Sequence, residues 1–267
     1  MSKIAIIGCG NMGLTYAKSF LQYNLVKKEH LLLIEKNAEL KEHLAPFGNV
    51  HNALDSKISE YDTIILSVKP QDAKPVLEEL KQYLKPHQMV ISIMAGVTIS
   101  TLEQILNFKS IIRAMPNTPA QLGMGITGFT AGKGTKIQAI LKADNLLNAT
   151  GKTIFLENED LLNAVTALSG SGPAYFYFIV NAMIEAGVKM GLEENVASLL
   201  VKETMNGSFH LMNNSDKTLQ ELINAVTSKG GTTEAALKKY NEQKLSEVIK
   251  DGIFAAENRA NELSKLT

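Results

Sequence analysis

The chain has 267 residues, 45% hydrophobic and 20% charged, the proportions of an ordinary soluble protein with one large or two modest domains. Lys plus Arg and Asp plus Glu number 27 each, so the formal net charge is zero; this argues against nucleic acid or a membrane surface as partner and leaves small anionic ligands open. The single cysteine, Cys9, excludes an intramolecular disulfide framework and a cysteine-rich metal centre, and the scattered histidines show no metal spacing, so no metal is expected.

Residues 1–3 lead straight into the apolar run Ile4–Ile7, which is too short for a signal segment. No stretch approaches membrane length, and a cytoplasmic location is expected. Ile4–Ile7 reads as a strand, followed by a helix to about residue 24. Further strands are expected at Leu31–Ile34, 63–68, 89–93, 111–114, 125–130 and 152–156, with helices at 37–44 and 72–84. Apolar runs separated by helices are what a parallel sheet covered on both faces requires. Beyond residue 157 the strands stop. Helices are expected at 159–168, 174–190, 193–212, 219–226, 233–240 and 245–263, with Pro173 in the first turn of the long one. The expected fold is α/β: an N-terminal doubly wound sheet of Rossmann type over 1–157, then an all-helical domain over 158–267.

Gly8-Cys9-Gly10-Asn11-Met12-Gly13 matches GxGxxG and lies directly between the first strand, ending at Ile7, and its helix. The first glycine permits the tight turn, the second lets backbone approach a pyrophosphate, and the third lets helix and strand pack closely. Amides at the helix N-terminus then face the anion. Glu35 ends the second strand about twenty residues further on, where an acidic side chain grips the ribose 2′-hydroxyl of NAD(H). Lys36 and Lys41 lie beside it, and a lysine neutralises the 2′-phosphate of NADP(H). Both cofactors stay open at this point.

Three loops follow strands at the end of the sheet where ligands lie. They are Ser67-Val68-Lys69-Pro70-Gln71, Ala95-Gly96-Val97 and Arg113-Ala114-Met115-Pro116-Asn117-Thr118-Pro119. Pro and Gly also punctuate ordinary loops, and it is their shared location that makes these candidates to border the cofactor. A fourth segment, Thr227-Ser228-Lys229-Gly230-Gly231-Thr232-Thr233-Glu234, joins two helices of the second half. Its bared glycines, hydroxyls and helix start make a small anion site of carboxylate size. An ordinary helix cap with Glu234 in the first turn reads equally well. No acid–base dyad or nucleophile elbow stands out, which suits hydride delivery to an already electrophilic C=N bond.

Together, Val68-Lys69-Pro70-Gln71, Ala95-Gly96-Val97-Thr98-Ile99, Arg113 to Pro119, Leu168 to Tyr175 and Ala225 to Thr233 resemble the pyrroline-5-carboxylate reductase family. The matches occur in family order and span nearly the whole chain, and the Gly-Gly-Thr-Thr segment is their most specific part. The resemblance implies reduction of 1-pyrroline-5-carboxylate to L-proline by NADPH or NADH. It implies that Ser228 and the amides of Gly231, Thr232 and Thr233 hold the substrate carboxylate, with the Thr233 hydroxyl on the ring nitrogen. It also implies that Met115, Pro116 and Asn117 line the nicotinamide pocket and that Asn52 contacts the adenosine side. A homodimer with interlocked helical domains, or a higher homo-oligomer, is implied as well.

Two positions depart from the family pattern: Lys229 stands where many members have proline, and Glu35-Lys36 where many have a residue followed by arginine. The competing readings are a related imine reductase or β-hydroxyacid dehydrogenase, with Lys189 as its lysine, and a non-catalytic dinucleotide sensor. A helix-end lysine near the C-terminal dipole is the simpler account of Lys189, and the Gly-Gly-Thr-Thr segment speaks against the dehydrogenase reading.

Overall fold

The computed structural model describes residues 2–266, with side chains through Ser264. Eight strands form one sheet in the order β3-β2-β1-β4-β5-β6-β7-β8. They are β1 (Ile4–Ile7), β2 (Leu31–Ile34), β3 (Asn49–His51), β4 (Thr63–Leu66), β5 (Met89–Ser92), β6 (Ile111–Met115), β7 (Gly125–Ala131) and β8 (Gly151–Phe155). The first six run parallel, β7 pairs antiparallel with β6, and β8 runs parallel to β7. The strand order reverses at β1, between β2 and β4, which is the topological switch point where such sheets bind ligands.

Strands β1, β2, β4 and β5 are buried along their whole length. Because successive side chains alternate, one run feeds two cores. Ile4, Ile6, Leu31 and Leu33 pack with Tyr16 and Phe20 of α1 (Asn11–Gln22) and Leu146 of α5 (Ile137–Leu147). Ala5, Ile7, Leu32 and Ile34 share the opposite core with Leu77 of α3 (Ala73–Leu80) and Leu102 and Leu106 of α4 (Ile99–Leu106).

Several elements differ from expectation. Strand β3 escapes sequence reading because its three residues are half exposed and mix Asn49 and His51 with Val50. Helices α4 and α5 lie in stretches left without a helix. The helix expected at 37–44 is a 3-10 turn at Ala38–Leu40 followed by the single turn α2 (Lys41–Leu44). Helix α3 stops at Leu80, and the segment at 159–168 is α6 (Leu161–Val165) running into a π-helical turn at Thr166–Gly170. Antiparallel β7 makes the sheet mixed.

The chain divides into two compact units that do not meet at residue 157. The first comprises the residues up to Ser171 together with those from Ala256 onward, and the second is Gly172–Ala255. Residues 158–171 belong with the sheet because their side chains are spent there. Leu162 and Ala167 are buried, and Glu159 Oε1 meets the Arg113 guanidinium of β6 at 2.8 Å. The end of α11 (Leu245–Leu266) returns to the same unit: Asn163 Nδ2 donates to Asn261 Oδ1 at 2.7 Å, and Ser264 Oγ to Asn163 Oδ1 at 3.3 Å.

The second unit contains α7 (Gly172–Lys189), α8 (Glu194–Asn213), α9 (Leu219–Ala225), α10 (Thr232–Glu242) and the first part of α11. Helices α7 and α8 approach closely where Gly187 faces Ala197. Large apolar side chains of this unit stay exposed, among them Phe176, Phe178, Leu199, Phe209 and Phe254. Among the described residues no helix is long and apolar enough to cross a membrane.

Candidate dinucleotide cleft and anion site

Gly8 sits at φ +88°, a left-handed conformation that side chains rarely adopt, and a Cβ there would lie 2.6 Å from the Ser67 carbonyl oxygen. A Cβ on Gly13 would overlap the Gly8 carbonyl, so α1 packs against its own strand only with glycine at that position. Gly10 is different: a Cβ there would meet nothing within 4 Å. That open space lies at the N-cap of α1, which carries no side-chain cap and no acid in its first turn. The first amides of α1 are therefore left to an external acceptor, which is what a pyrophosphate supplies. The turn fits a dinucleotide.

Beside it lies a cavity of about 470 Å³ at the carboxyl ends of β1, β2 and β4. Of the residues predicted from sequence, Ile7, Gly8, Gly10, Glu35, Lys36, Asn52, Ser67, Val68 and Lys69 line this cleft. Sequence reading missed Ala53, Leu54, Asp72 and Val76, which also line it. Residues 52–54 follow β3, the strand that had no readable pattern, and so escaped notice.

Glu35 is held in place from two sides. Its Oε2 accepts the Cys9 amide at 2.9 Å and its Oε1 accepts the Asn37 amide at 3.0 Å. Lys36 Nζ reaches Asp72 Oδ2 at 3.2 Å on the exposed rim. The Cys9 side chain does not face the cleft: it is 2% exposed, with Sγ near the Ile6 and Ile34 carbonyls. Burial, reinforced by the Glu35 charge, pushes its thiol up to about 12, so it stays protonated.

The remaining predicted cofactor residues, Asn11, Met12, Gly13, Pro70, Ala95, Gly96, Met115, Pro116 and Asn117, do not line this cavity. Gly13 has the packing role just described. Gly96, at φ +76°, lies against Leu263 of α11, and Met115 packs on Gly170. Pro116 is buried. Asn117 is committed to scaffold: its Oδ1 accepts the Ile126 amide at 3.0 Å, and its Nδ2 donates to Ser169 Oγ at 3.2 Å. These loops nonetheless leave β5 and β6 at the same sheet end as the cleft, as the parallel register requires.

In the helical unit, α10 starts at Thr232 with Gly231 as its N-cap, and no side chain caps it. Glu234 instead takes the Gly230 amide through Oε2 at 2.8 Å, where Gly230 turns at φ +74°. The Thr232 and Thr233 amides, being the first of the helix, have no carbonyl one turn behind them. Ser228 Oγ lies where a Cβ on Gly231 would come within 2.6 Å, so the glycine keeps the space beside that hydroxyl clear. A shallow concavity of about 820 Å³ borders this segment at Gly230, Gly231 and Glu234; Ser228, Thr232 and Thr233 do not line it. The local geometry thus sets the two readings side by side, an acid that fastens the turn and free amides that remain. The other candidate, Lys189, is exposed in the last turn of α7.

Comparison with known proteins agrees with this layout. Residues 159–263 match the family model described as pyrroline-5-carboxylate reductase dimerisation, and residues 3–96 match one described as NADP oxidoreductase, coenzyme F420-dependent. A pyrroline-5-carboxylate reductase of Pseudomonas aeruginosa is 36% identical over 266 residues, covering 98% of this chain and 97% of that protein. Pyrroline-5-carboxylate reductase 2 of Bacillus subtilis is 35% identical over 269 residues, covering 99% and 96%. The Plasmodium falciparum pyrroline carboxylate reductase, solved with NADP bound, superposes with a TM-score of 0.88 at 28% identity over 98% of each chain. Glycine turn, mixed sheet, helical unit and full-length similarity together place the chain in the pyrroline-5-carboxylate reductase family.

Proposed function

We propose that this protein reduces the cyclic imine 1-pyrroline-5-carboxylate to L-proline, consuming NADPH or NADH and one proton. When bound, the nicotinamide supplies a hydride for the imine carbon, and the proton goes to the ring nitrogen. The observation that carries the reading is the uncapped start of α10, in a chain whose sheet unit has a dinucleotide turn.

On this reading the Thr232 and Thr233 amides and the Ser228 hydroxyl hold the substrate carboxylate, and the room kept by Gly231 admits it. The Thr233 hydroxyl hydrogen-bonds the ring nitrogen and orients the C=N bond. Fixing the carboxylate and the nitrogen fixes the imine carbon, so positioning supplies much of the rate. In the cleft, the α1 amides hold the diphosphate, Glu35 and Lys36 face the adenosine ribose, and Asn52 lies on the adenosine side. Ala95, Gly96, Met115, Pro116 and Asn117 belong to loops that support the nicotinamide end, Asn117 by fastening β7 to the π-helical turn.

The protein works as a homodimer through its helical unit, with the two units interlocked, and is cytoplasmic. The exposed Phe176, Phe178, Leu199 and Phe209 support this, since apolar side chains in such number on one small unit are ordinarily covered by a partner.

A spectrophotometric assay with 1-pyrroline-5-carboxylate, run with NADPH and with NADH, tests the reaction and the cofactor together. Substrate-dependent oxidation of either cofactor with formation of proline is expected. Binding of NADPH without turnover would favour a dinucleotide sensor instead. Loss of rate in Lys189→Ala with Thr233→Ala unimpaired would favour a lysine-dependent dehydrogenase.

A further inference from the structure

At the end of the sheet opposite the dinucleotide cleft lies a second cavity, of about 750 Å³. It opens where β4, β5 and β6 begin, bordered by Asp62, Met89 and Ser110, and the loop after β7 closes it at Gly134. Its floor is apolar, made by Leu84, Leu106 and Phe108. Its rim carries Lys81, Lys85, Lys109, Lys136 and Lys142 against the single carboxylate of Asp62.

Most of these lysines have no anionic partner. Lys109 pairs with Glu103 at 2.6 Å, but Lys81, Lys85, Lys136 and Lys142 form no ion pair among the described residues. Asp62 is already taken, accepting the Lys3 amide at 2.8 Å and the Ser2 hydroxyl at 3.2 Å. Lys81 and Lys85 follow the C-terminus of α3, where a helix dipole welcomes cations. That explanation fails for the other two. Lys136 is the N-cap residue of α5, at the positive end of its dipole, with no side-chain cap and no acid in the first turn. Lys142 lies on the same helix, and burial there holds its pKa below the ordinary lysine value although the Asp62 charge opposes the shift. Lys81, Lys85 and Lys136, without an ion pair, and Lys142, facing only the Asp62 charge, focus a positive potential on one cavity that a bound anion would relieve.

We propose that this cavity binds an organic polyanion: two or more adjacent phosphoryl groups on an aromatic body, the chemistry of a nucleoside triphosphate. The volume suits a ligand of that size and far exceeds a single phosphate. The lysines take the phosphoryl oxygens, and the Leu84–Leu106–Phe108 floor takes the aromatic part.

The test is calorimetric titration of the full chain, first saturated with NADPH so that the dinucleotide cleft is filled, with ATP and separately with inorganic triphosphate. It is repeated on a Lys136→Ala/Lys142→Ala double variant, whose unaltered NADPH affinity and basal turnover show that the fold and the active site are intact. One ATP per chain is expected, weakened on the order of tenfold or more in the double variant, the loss of at least one charge-assisted contact. Inorganic triphosphate should bind more weakly than ATP. A second NADPH per chain that is lost in the double variant would also support the site. With a single NADPH bound per chain, no ATP binding, or equal binding by variant and wild type, would overturn it. Triphosphate binding as tightly as ATP would overturn the aromatic part.

Discussion

The Glu35 carboxylate accepts the amide of Cys9 at 2.9 Å, so the acid at the end of β2 is fastened to the glycine turn at the end of β1. On the proposed reading this sets a negative charge beside the adenosine ribose, where it would oppose a 2′-phosphate. Glu35→Ala should raise the ratio of kcat/KM for NADPH over NADH severalfold, since removing one like charge near a surface is worth about 1 kcal/mol or more. Steady-state kinetics with both cofactors measures the ratio, and an unchanged ratio would remove Glu35 from cofactor selection.

Thr233→Ala should cut kcat by about tenfold or more while NADPH affinity stays within about twofold, because the hydroxyl is assigned to orienting the imine and not to the cofactor. Turnover separates the two effects when set against NADPH affinity measured by fluorescence titration. Equal turnover in mutant and wild type would exclude the hydroxyl from the mechanism.

Arg113 and Glu159 tie β6 to the segment ahead of α6, and Glu159 Oε1 also accepts the Ile99 amide at 2.8 Å, at the start of α4. The Arg113 side chain is only 4% exposed. Glu159→Gln leaves that guanidinium without its charge partner, and the expected loss of stability is about 3 kcal/mol. Urea unfolding gives the value. Replacing both residues together by apolar ones, as Arg113→Met/Glu159→Leu, should cost less than the single change, because no unpaired charge is then buried.

Cys9 sets a further pattern. In the folded chain its thiol is pushed up to about 12 from its ordinary value near 9.0, chiefly by burial. Below pH 9 the thiol is protonated in both states and contributes no pH dependence. Between about pH 9 and 12 the unfolded thiol ionises and the folded one does not, so this contribution to stability is lost as pH rises. A disulfide reagent at pH 8 should accordingly label Cys9 slowly in the native protein and rapidly once the chain is unfolded in urea. Rapid native labelling would mean that the turn opens.

Much of this was readable from residues alone where the determinant is local. Gly8-Cys9-Gly10-Asn11-Met12-Gly13 announces itself because backbone conformation and close approach admit only glycine at Gly8 and Gly13. The runs of β1, β2, β4 and β5 announce themselves because a strand buried on both faces is nearly continuous in apolar residues, Thr63 and Ser92 being the polar exceptions. Short, half-exposed β3 carries no such signal, and with it went Ala53 and Leu54 of the cleft wall. Helices α4 and α5 escape the sequence reading although their apolar positions reach both cores.

By itself, then, the sequence determined the dinucleotide turn, the α/β-then-helical order and the Gly-Gly-Thr-Thr helix start, because each rests on neighbouring residues and on backbone sterics. Only the tertiary structure decided that Glu35 sits on the Cys9 amide, that Asn117 serves the scaffold, and that residues 158–171 and the end of α11 belong to the sheet unit. Those facts depend on strand order and on partners such as Asn163 and Asn261, distant along the chain and adjacent once both cores close.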